Sequence, residues 1–459
     1  MACQLSAIEL LDILNAVPIN LSDRLAGTLF PGISTDTRSL KPGQVFLALR
    51  GLQFDGHEYL RLAIEKGAIA AITDRNIGRE FDDIPQLQVE DTLKAYQQIA
   101  SSWRNRFNIP VIAVTGSAGK TTTKELISSV LGTQGNVLKT QGNYNNEIGV
   151  PKTLLELGSE HDYAVIEMAM RGAGQIAELT QIARPTVGVI TNVGTAHIGI
   201  LGSEEAIAKA KCELLAEMPQ TSVAVINHDN QLLRETAATV WQGQTITFGL
   251  EGGDLQGNLI DLDTLALEGM EFPLPLPGRH NAMNYLAALA VAKILEIDLT
   301  KVAKGVLVEM PGGRSQRYEL PNDIVILDET YNAGLESMKA ALQLLAETSG
   351  RRHIAVLGAM KELGARSPEF HQEVGKTVEE LHLDALLIAV DDEEAQAIAT
   401  GVSTVPTECF DSQEALLQHL KEFVQPGDRV LFKASRSIGL DRVVHQLRSS
   451  NGLGVGSRE

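Results

Sequence analysis

The chain has 459 residues, of which 44% are hydrophobic and 4% aromatic, and its net charge is −19. At ~150 residues per domain this length predicts about three domains, and the composition is that of an α/β protein with aliphatic cores. The acidic balance argues against nonspecific binding to nucleic acid or to anionic membranes, but not against small anionic ligands that answer to local fields.

In chain order, the N-terminal "MACQLSAIELLDIL" has acids among its apolar residues and no basic run before them. It reads as an amphipathic helix and not as a signal peptide. Cys3, Cys212 and Cys409 are too scattered for a metal or disulfide framework, which points to a reducing cytoplasm. No apolar run reaches the ~20 residues that span a bilayer. The expectation is a soluble, cytoplasmic chain with no membrane span and no nucleic-acid partner, taken as a monomer.

Residues 1–108 alternate apolar strands with helices. "QVFLAL" and "AIAAIT" read as strands, and Leu93, Tyr96, Ile99, Ala100 and Trp103 recur at helical steps between Asp91 and Trp103. The proline of "NRFNIP" then marks a junction. Apolar runs ending in polar residues follow: "VIAV" before a glycine loop, "YAVI" before Glu167, and "VGVI" before Thr191 and Asn192. In doubly wound sheets, ligands collect at the carboxyl ends of such strands. After Pro311-Gly312-Gly313-Arg314 the pattern restarts, with strands ending at Asp328, Gly358, Asp391 and Lys433. The prediction is three α/β domains, 1–108, 109–316 and 317–459. The central one has a P-loop-type, mostly parallel sheet, and the last is Rossmann-like. The small, polar C-terminal "SSNGLGVGSRE" reads as disordered.

The glycine loop is "AVTGSAGKTTTKE". Gly116 and Gly119 are separated by two residues, where the common P-loop has four. An apolar strand precedes the loop and a helix from about Lys120 to Leu131 follows it, burying Leu126, Ile127, Val130 and Leu131. Helix N-terminal amides and the Lys120 charge make an anion site. Thr121 takes the place of the hydroxyl that ligates magnesium in P-loops. The reading is a nucleotide site. Glu167 closes a buried strand, where a carboxylate is costly unless paired or bound to a metal. A hard-oxygen ligand for magnesium accounts for it.

The segment Thr115-Gly116-Ser117-Ala118-Gly119-Lys120-Thr121-Thr122 is similar to the ATP loop of the Mur ligases, the amide-forming synthetases of peptidoglycan precursor assembly. "QGNYNNEIGVP" resembles another family segment through Asn145, Asn146, Gly149 and Pro151, and "ITNVGTAHIGILGS" a third through Asn192 and His197. The resemblance implies that Glu167 and His197 hold magnesium. It also implies that Lys211 of "AIAKAKCEL" becomes a carbamate that helps to do so. Lys209, about 200° away around a helix, points elsewhere. Cys212 stands where relatives often have glycine. "GRHNAMNYLAALAVA" resembles the family's Gly-x-His-Asn-x-x-Asn through Gly278, His280, Asn281 and Asn284. The last two are implied to read adenine, and Arg314 to touch phosphate.

The outer segments resemble one branch of the family. "LDETYNAGLESM" shares Asp328, Tyr331, Asn332, Ser337 and Met338, with Glu329 and Gly334-Leu335 as departures. The resemblance implies that Asp328 contacts ribose while Tyr331 and Asn332 flank the nucleotide. In "LGAMKELG" Ala359 replaces an aspartate, and His371 follows it. In "FKASRSIGLD" Lys433, Ser435 and Arg436 match around Ala434, at the place implied for the incoming dipeptide. Ser34, Asp36, Thr37 and Arg38, with Asp55, Gly56 and His57, match the uridine-nucleotide segments, and Asn145 and Asn146 join them. The branch implied adds D-alanyl-D-alanine to UDP-N-acetylmuramoyl-tripeptide, with ATP and Mg2+, through an acyl phosphate. Lys120, Glu167, His197, Lys211 and Arg314 are the residues implied for catalysis. Two other readings stay open at this point: a folylpolyglutamate-type or different muramoyl ligase, and a nucleotide-binding partner of wall synthesis without catalysis.

Overall fold

A computed structural model describes residues 3–22, 27–51, 54–77, 81, 84–389 and 393–450. Met1, Ala2, Asp391 and the tail beyond residue 450, all read above, lie outside the described residues. The N-terminal amphipathic helix is Ala7–Leu14, started by a capping box in which Ser6 Oγ accepts from Glu9 N and Ser6 N donates to Glu9 Oε2. The two strands expected in the first domain are Val45–Leu47 and Ala70–Thr73. They pair in parallel within a five-stranded sheet. The helix Thr92–Arg104 begins where Asp91 accepts from Leu93 N and Lys94 N. It ends on Arg104, whose buried guanidinium donates to the carbonyls of Ala183 and Arg184 and so fastens this helix to the next unit.

The middle of the chain forms a seven-stranded sheet in which every neighbouring pair is parallel. The strand Val111–Thr115 lies inside it, with Tyr163–Glu167 on one side and Val187–Ile190 on the other. Strand order reverses there, so the carboxyl ends of three strands open onto one crevice. Thr115, Glu167 and Thr191 are thus brought together although two helices and a strand separate the first from the second, and another helix and strand the second from the third. The helix Lys120–Leu131 packs between this sheet and the helix Arg279–Ile294. Its buried surface is larger than one apolar face, because Thr121 through Ser128 are buried as well.

From Gln316 onward a six-stranded sheet forms, parallel except for its edge pair Gln316–Leu320 and Ile324–Glu329. That edge strand has no counterpart in the sequence reading, and neither has the antiparallel trio Asn258–Asp261, Thr264–Leu267 and Met270–Pro273. Gln316–Leu320 and Asn258–Asp261 are rich in polar residues, and none of the four forms the continuous apolar run that marks the buried parallel strands. Among the described residues no helix is long and apolar enough to cross a membrane.

Candidate active site

A cavity of about 1030 Å³ opens where the central and C-terminal sheets face each other. Its floor is the glycine loop. Gly116 and Gly119 have φ of +153° and +79°, and a Cβ on either would collide, with Thr191 Oγ1 in the first case and with Asn284 Oδ1 in the second. Only glycine meets both demands. The loop is stitched to the neighbouring strand end: Ala118 N donates to Asn192 Oδ1 (2.8 Å), and Thr191 Oγ1 to the Ala118 carbonyl (2.6 Å). Lys120 Nζ donates to the carbonyls of Gly116 (2.7 Å) and Ser117 (3.3 Å), which keeps its charge over the loop. The first intrahelical bond runs from Thr123 N to the Gly119 carbonyl (2.8 Å). The amides of Lys120, Thr121 and Thr122 precede it and carry the positive end of the helix.

Glu167 ends the adjacent strand, beside this floor. Its backbone N–H donates to Thr140 Oγ1 (2.9 Å), and its Oε1 accepts from Asn145 Nδ2 (2.7 Å). Its Oε2 is buried with no hydrogen-bond partner among the described residues. A buried carboxylate oxygen without a donor is suited to a cation. Desolvation lowers the Lys120 pKa, and Arg314 adds to the effect against the pull of Glu167. Lys211 is 1% exposed and is pushed well below the ordinary lysine range by burial and then by the charge of Lys120. Lys209 is exposed. Among the described residues no three His, Cys, Asp or Glu side chains form a ready-made cage.

His197 sits on the cavity wall in the left-handed backbone region, and its Nδ1 is 2.6 Å from Glu362 Oε2 of the C-terminal unit. Burial and then Lys120 lower its pKa against the opposing pull of Glu362. Asn281 and Asn284 both reach the cavity. Asn284 is braced against the loop helix through Thr123 Oγ1 (3.2 Å), and Asn281 Nδ2 donates to the Pro277 carbonyl (2.9 Å). Nearby, burial and then the charge of Lys433 push His280 down to about 4.

The C-terminal unit, with Arg314 from the junction just before it, supplies the roof. The Arg314 guanidinium lies 3.9 Å from the Tyr331 ring centroid, with Arg436 at 5.7 Å from the same ring. Both are within reach of cation–π attraction. Lys433 Nζ donates to the Asn332 carbonyl (2.9 Å) and lies 3.9 Å from Glu329 Oε2. Ser435 Oγ accepts from Lys361 N (3.0 Å). His371 is buried behind the roof, where its Nε2 accepts from Met360 N (2.9 Å). Two acids close one strand of this roof. Glu329 lines the cavity and Asp328 does not, its carboxylate being held by Thr330 N and Oγ1 (2.6 Å to the hydroxyl). Consecutive strand residues face opposite sides, so one of the two had to turn away. Thr115 and Gly116 form the base of the loop, where the strand runs into it.

The uridine-segment residues sit apart from this cavity. Arg38 and Asp36 form a bidentate pair (2.7 Å at its shortest), and Ser34 Oγ accepts from Asp36 N. The Thr37 carbonyl accepts from Lys66 Nζ (2.8 Å). Burial opposes the charge on Asp55, yet bonds from His57 N, the His57 ring and Arg75 hold it down to about 2. His57 is buried, with Nδ1 on Asp55 (2.6 Å) and Nε2 accepting from Asp74 N (3.3 Å). Both ring nitrogens are therefore engaged, and this histidine braces the turn. At Gly56 a Cβ would lie 2.6 Å from the Leu49 carbonyl oxygen. The charge of Lys152 reaches Asp36, and Lys152 Nζ rests 3.9 Å from the Tyr144 ring centroid. The segment carrying Asn145 and Asn146 thus joins the uridine side to the cavity. Sequence reading missed Glu336 and Glu362, both on the cavity wall. Both stand inside family-like motifs, Glu336 in "LDETYNAGLESM" and Glu362 in "LGAMKELG", but nothing local marks a residue whose partner lies in another domain.

A phosphate-binding loop, an unpartnered carboxylate oxygen beside it and a roof of arginine and lysine define a nucleotide-dependent enzyme of the α/β class. Residues 30–104 match the Mur ligase family catalytic domain, residues 114–292 the Mur ligase middle domain, and residues 313–436 the Mur ligase glutamate ligase domain. The chain is 55% identical over 455 residues to the UDP-N-acetylmuramoyl-tripeptide–D-alanyl-D-alanine ligase of Synechocystis, covering 99% of this chain and 100% of that protein. Among solved structures, MurF from Acinetobacter baumannii superposes with a TM-score of 0.89 at 33% identity, covering 98% of this chain and 99% of that one. MurF ligase from Thermotoga maritima in complex with ADP superposes with a TM-score of 0.82 at 31% identity, covering 91% and 97%. The chain belongs to the Mur ligase family.

Proposed function

We propose that this chain is an ATP-dependent ligase that joins D-alanyl-D-alanine to UDP-N-acetylmuramoyl-tripeptide, giving the pentapeptide precursor of peptidoglycan with ADP and phosphate. The terminal carboxylate of the tripeptide attacks the γ-phosphorus of ATP, and the bond to the ADP oxygen breaks. The amine of D-alanyl-D-alanine then adds to the acyl phosphate carbonyl. The tetrahedral adduct loses phosphate, and the amine loses its proton. Lys120 and the helix amides bind the phosphates, and Arg314 neutralises charge from the roof. Asn281 and Asn284 take the adenine side, while Tyr331 and Asn332 flank the nucleotide. Glu167, Thr121, His197 and Lys211 as its carbamate hold Mg2+. When bound, the metal spreads the charge that develops on the transferred phosphoryl group.

Ser34, Asp36, Thr37, Arg38, Asp55 and Gly56 hold the uridine diphosphate, and Asn145 and Asn146 receive the chain that leads into the cavity. Lys433, Ser435 and Arg436 dock the dipeptide. In this reading the domains are 1–108, 109–316 and 317–459, and the enzyme works as a cytoplasmic monomer. The observation that carries it is the meeting of the anion loop, the unpartnered Glu167 oxygen and the basic C-terminal roof in one cavity. The test is to supply ATP, Mg2+ and UDP-N-acetylmuramoyl-tripeptide, with and without D-alanyl-D-alanine, and to look for pentapeptide by mass spectrometry. Product should require all four components and vanish in Lys120→Ala. Near-normal turnover in that variant would refute the assignment of the loop.

A further inference from the structure

The residues around His197 are held more firmly than a surface ion pair requires. His197 belongs to the central unit and Glu362 to the C-terminal one, yet His197 Nδ1 and Glu362 Oε2 are 2.6 Å apart. Both residues occupy the left-handed backbone region, at φ +67° and +66°. That conformation costs energy for a residue with a Cβ and persists where surroundings impose it. Beside them the two backbones touch. Gly199 N donates to the Glu362 carbonyl (3.1 Å), and a Cβ on Gly199 would lie 2.5 Å from Gly364 N. Glycines on both sides allow this approach, and the approach delivers the Glu362 carboxylate to the ring.

The geometry points to Glu362 as a positioning residue for the metal site, supplied across the domain interface. Metal-bound histidines generally donate their second ring N–H to a carboxylate or carbonyl, which fixes both tautomer and ring orientation. With Nδ1–H committed to Glu362, Nε2 is the nitrogen left for a metal. The histidine is then fully oriented only when the C-terminal unit is docked on residues 197–199, so docking and metal binding support each other. The inference rests on the reading of His197 as a magnesium ligand.

The test uses the full-length protein and two readouts other than turnover. Nitrogen-15 NMR of the metal-free, histidine-labelled protein should show His197 as the Nδ1–H tautomer, with that preference lost in Glu362→Ala and kept in Glu362→Gln, whose amide oxygen still accepts. Mn2+ titration followed by EPR, with the ATP analogue AMP-PNP present, should show one ion bound about tenfold or more weakly in Glu362→Ala, with recovery in Glu362→Gln. If Glu362→Ala alters neither the tautomer nor the titration while His197→Ala weakens Mn2+ binding, the positioning role is refuted and the ligand reading stands. If His197→Ala leaves the titration unchanged, the ligand reading falls and this assignment falls with it.

Discussion

Lys211 is the residue where burial and charge conflict most openly. It is 1% exposed and feels the charge of the Lys120 ammonium, so both desolvation and repulsion favour the neutral form. A neutral amine adds to carbon dioxide with loss of a proton, and the product is an anion in a site rich in cations. A 13C-bicarbonate sample of the wild type should therefore show a carbamate signal that Lys211→Met lacks. Lys211→Met should lose at least about a hundredfold in turnover, the scale of removing one group that stabilises transition-state charge. Its melting temperature should stay level or rise, because an apolar chain of similar length replaces a buried amine. A second titration is visible in stability. His280 is held near 4 in the fold against an ordinary value of 6.5. Between those values the unfolded chain binds a proton that the native chain refuses. Stability is then fully present above about 6.5 and falls as pH drops through that window. The melting temperature should decline from pH 7 to pH 4.5, and His280→Asn should flatten the decline.

The helix Lys120–Leu131 shows how far an element can be read from its own residues. Leu126, Ile127, Val130 and Leu131 mark its buried apolar face, and the glycine loop marks its start. Its polar half is not legible as buried, because the partners come from distant chain. Lys124 is fully buried, with Nζ donating to the Thr140 carbonyl (2.7 Å) and lying 2.8 Å from Glu125 Oε1, while Lys139 pairs with the other Glu125 oxygen. Thr140 in turn accepts from Glu167 N. The same limit explains Asp328 and Glu329: the sequence shows two acids at a strand end, and only the register against Asp428–Lys433 decides which faces the cavity. Breaking a buried charge pair from one side costs about 3–5 kcal/mol, so Lys124→Met should lower unfolding free energy in denaturant by roughly the lower figure, with Lys139 still covering Glu125. Lys120→Ala on the same helix should cost far less stability, since its ammonium bonds only to the two loop carbonyls among the described residues.

Across the whole molecule, function depends on the C-terminal unit lying over the loop. Glu336 is its second point of attachment. Its carboxylate accepts from Thr195 N (2.6 Å) and Thr195 Oγ1 (3.3 Å), and Gly194 leaves room beside Glu336 Oε1 that a Cβ would fill. Hydrogen bonds to a charged group contribute about 1.5–3 kcal/mol, so losing them shifts a docked–undocked balance by about ten- to a hundredfold. Glu336→Ala should increase the radius of gyration in X-ray scattering, and Glu336→Gln, which keeps an acceptor oxygen, should do so less. Because Lys433 and Arg436 ride on the displaced unit and Arg314 is held against its Tyr331 ring, kcat should fall in Glu336→Ala. The KM for the uridine-linked substrate should change little, since Asp36, Arg38 and Asp55 lie outside the cavity that Glu336 lines. An unchanged scattering curve alongside a raised KM for that substrate would show instead that Glu336 meets the substrate directly and that docking does not depend on it.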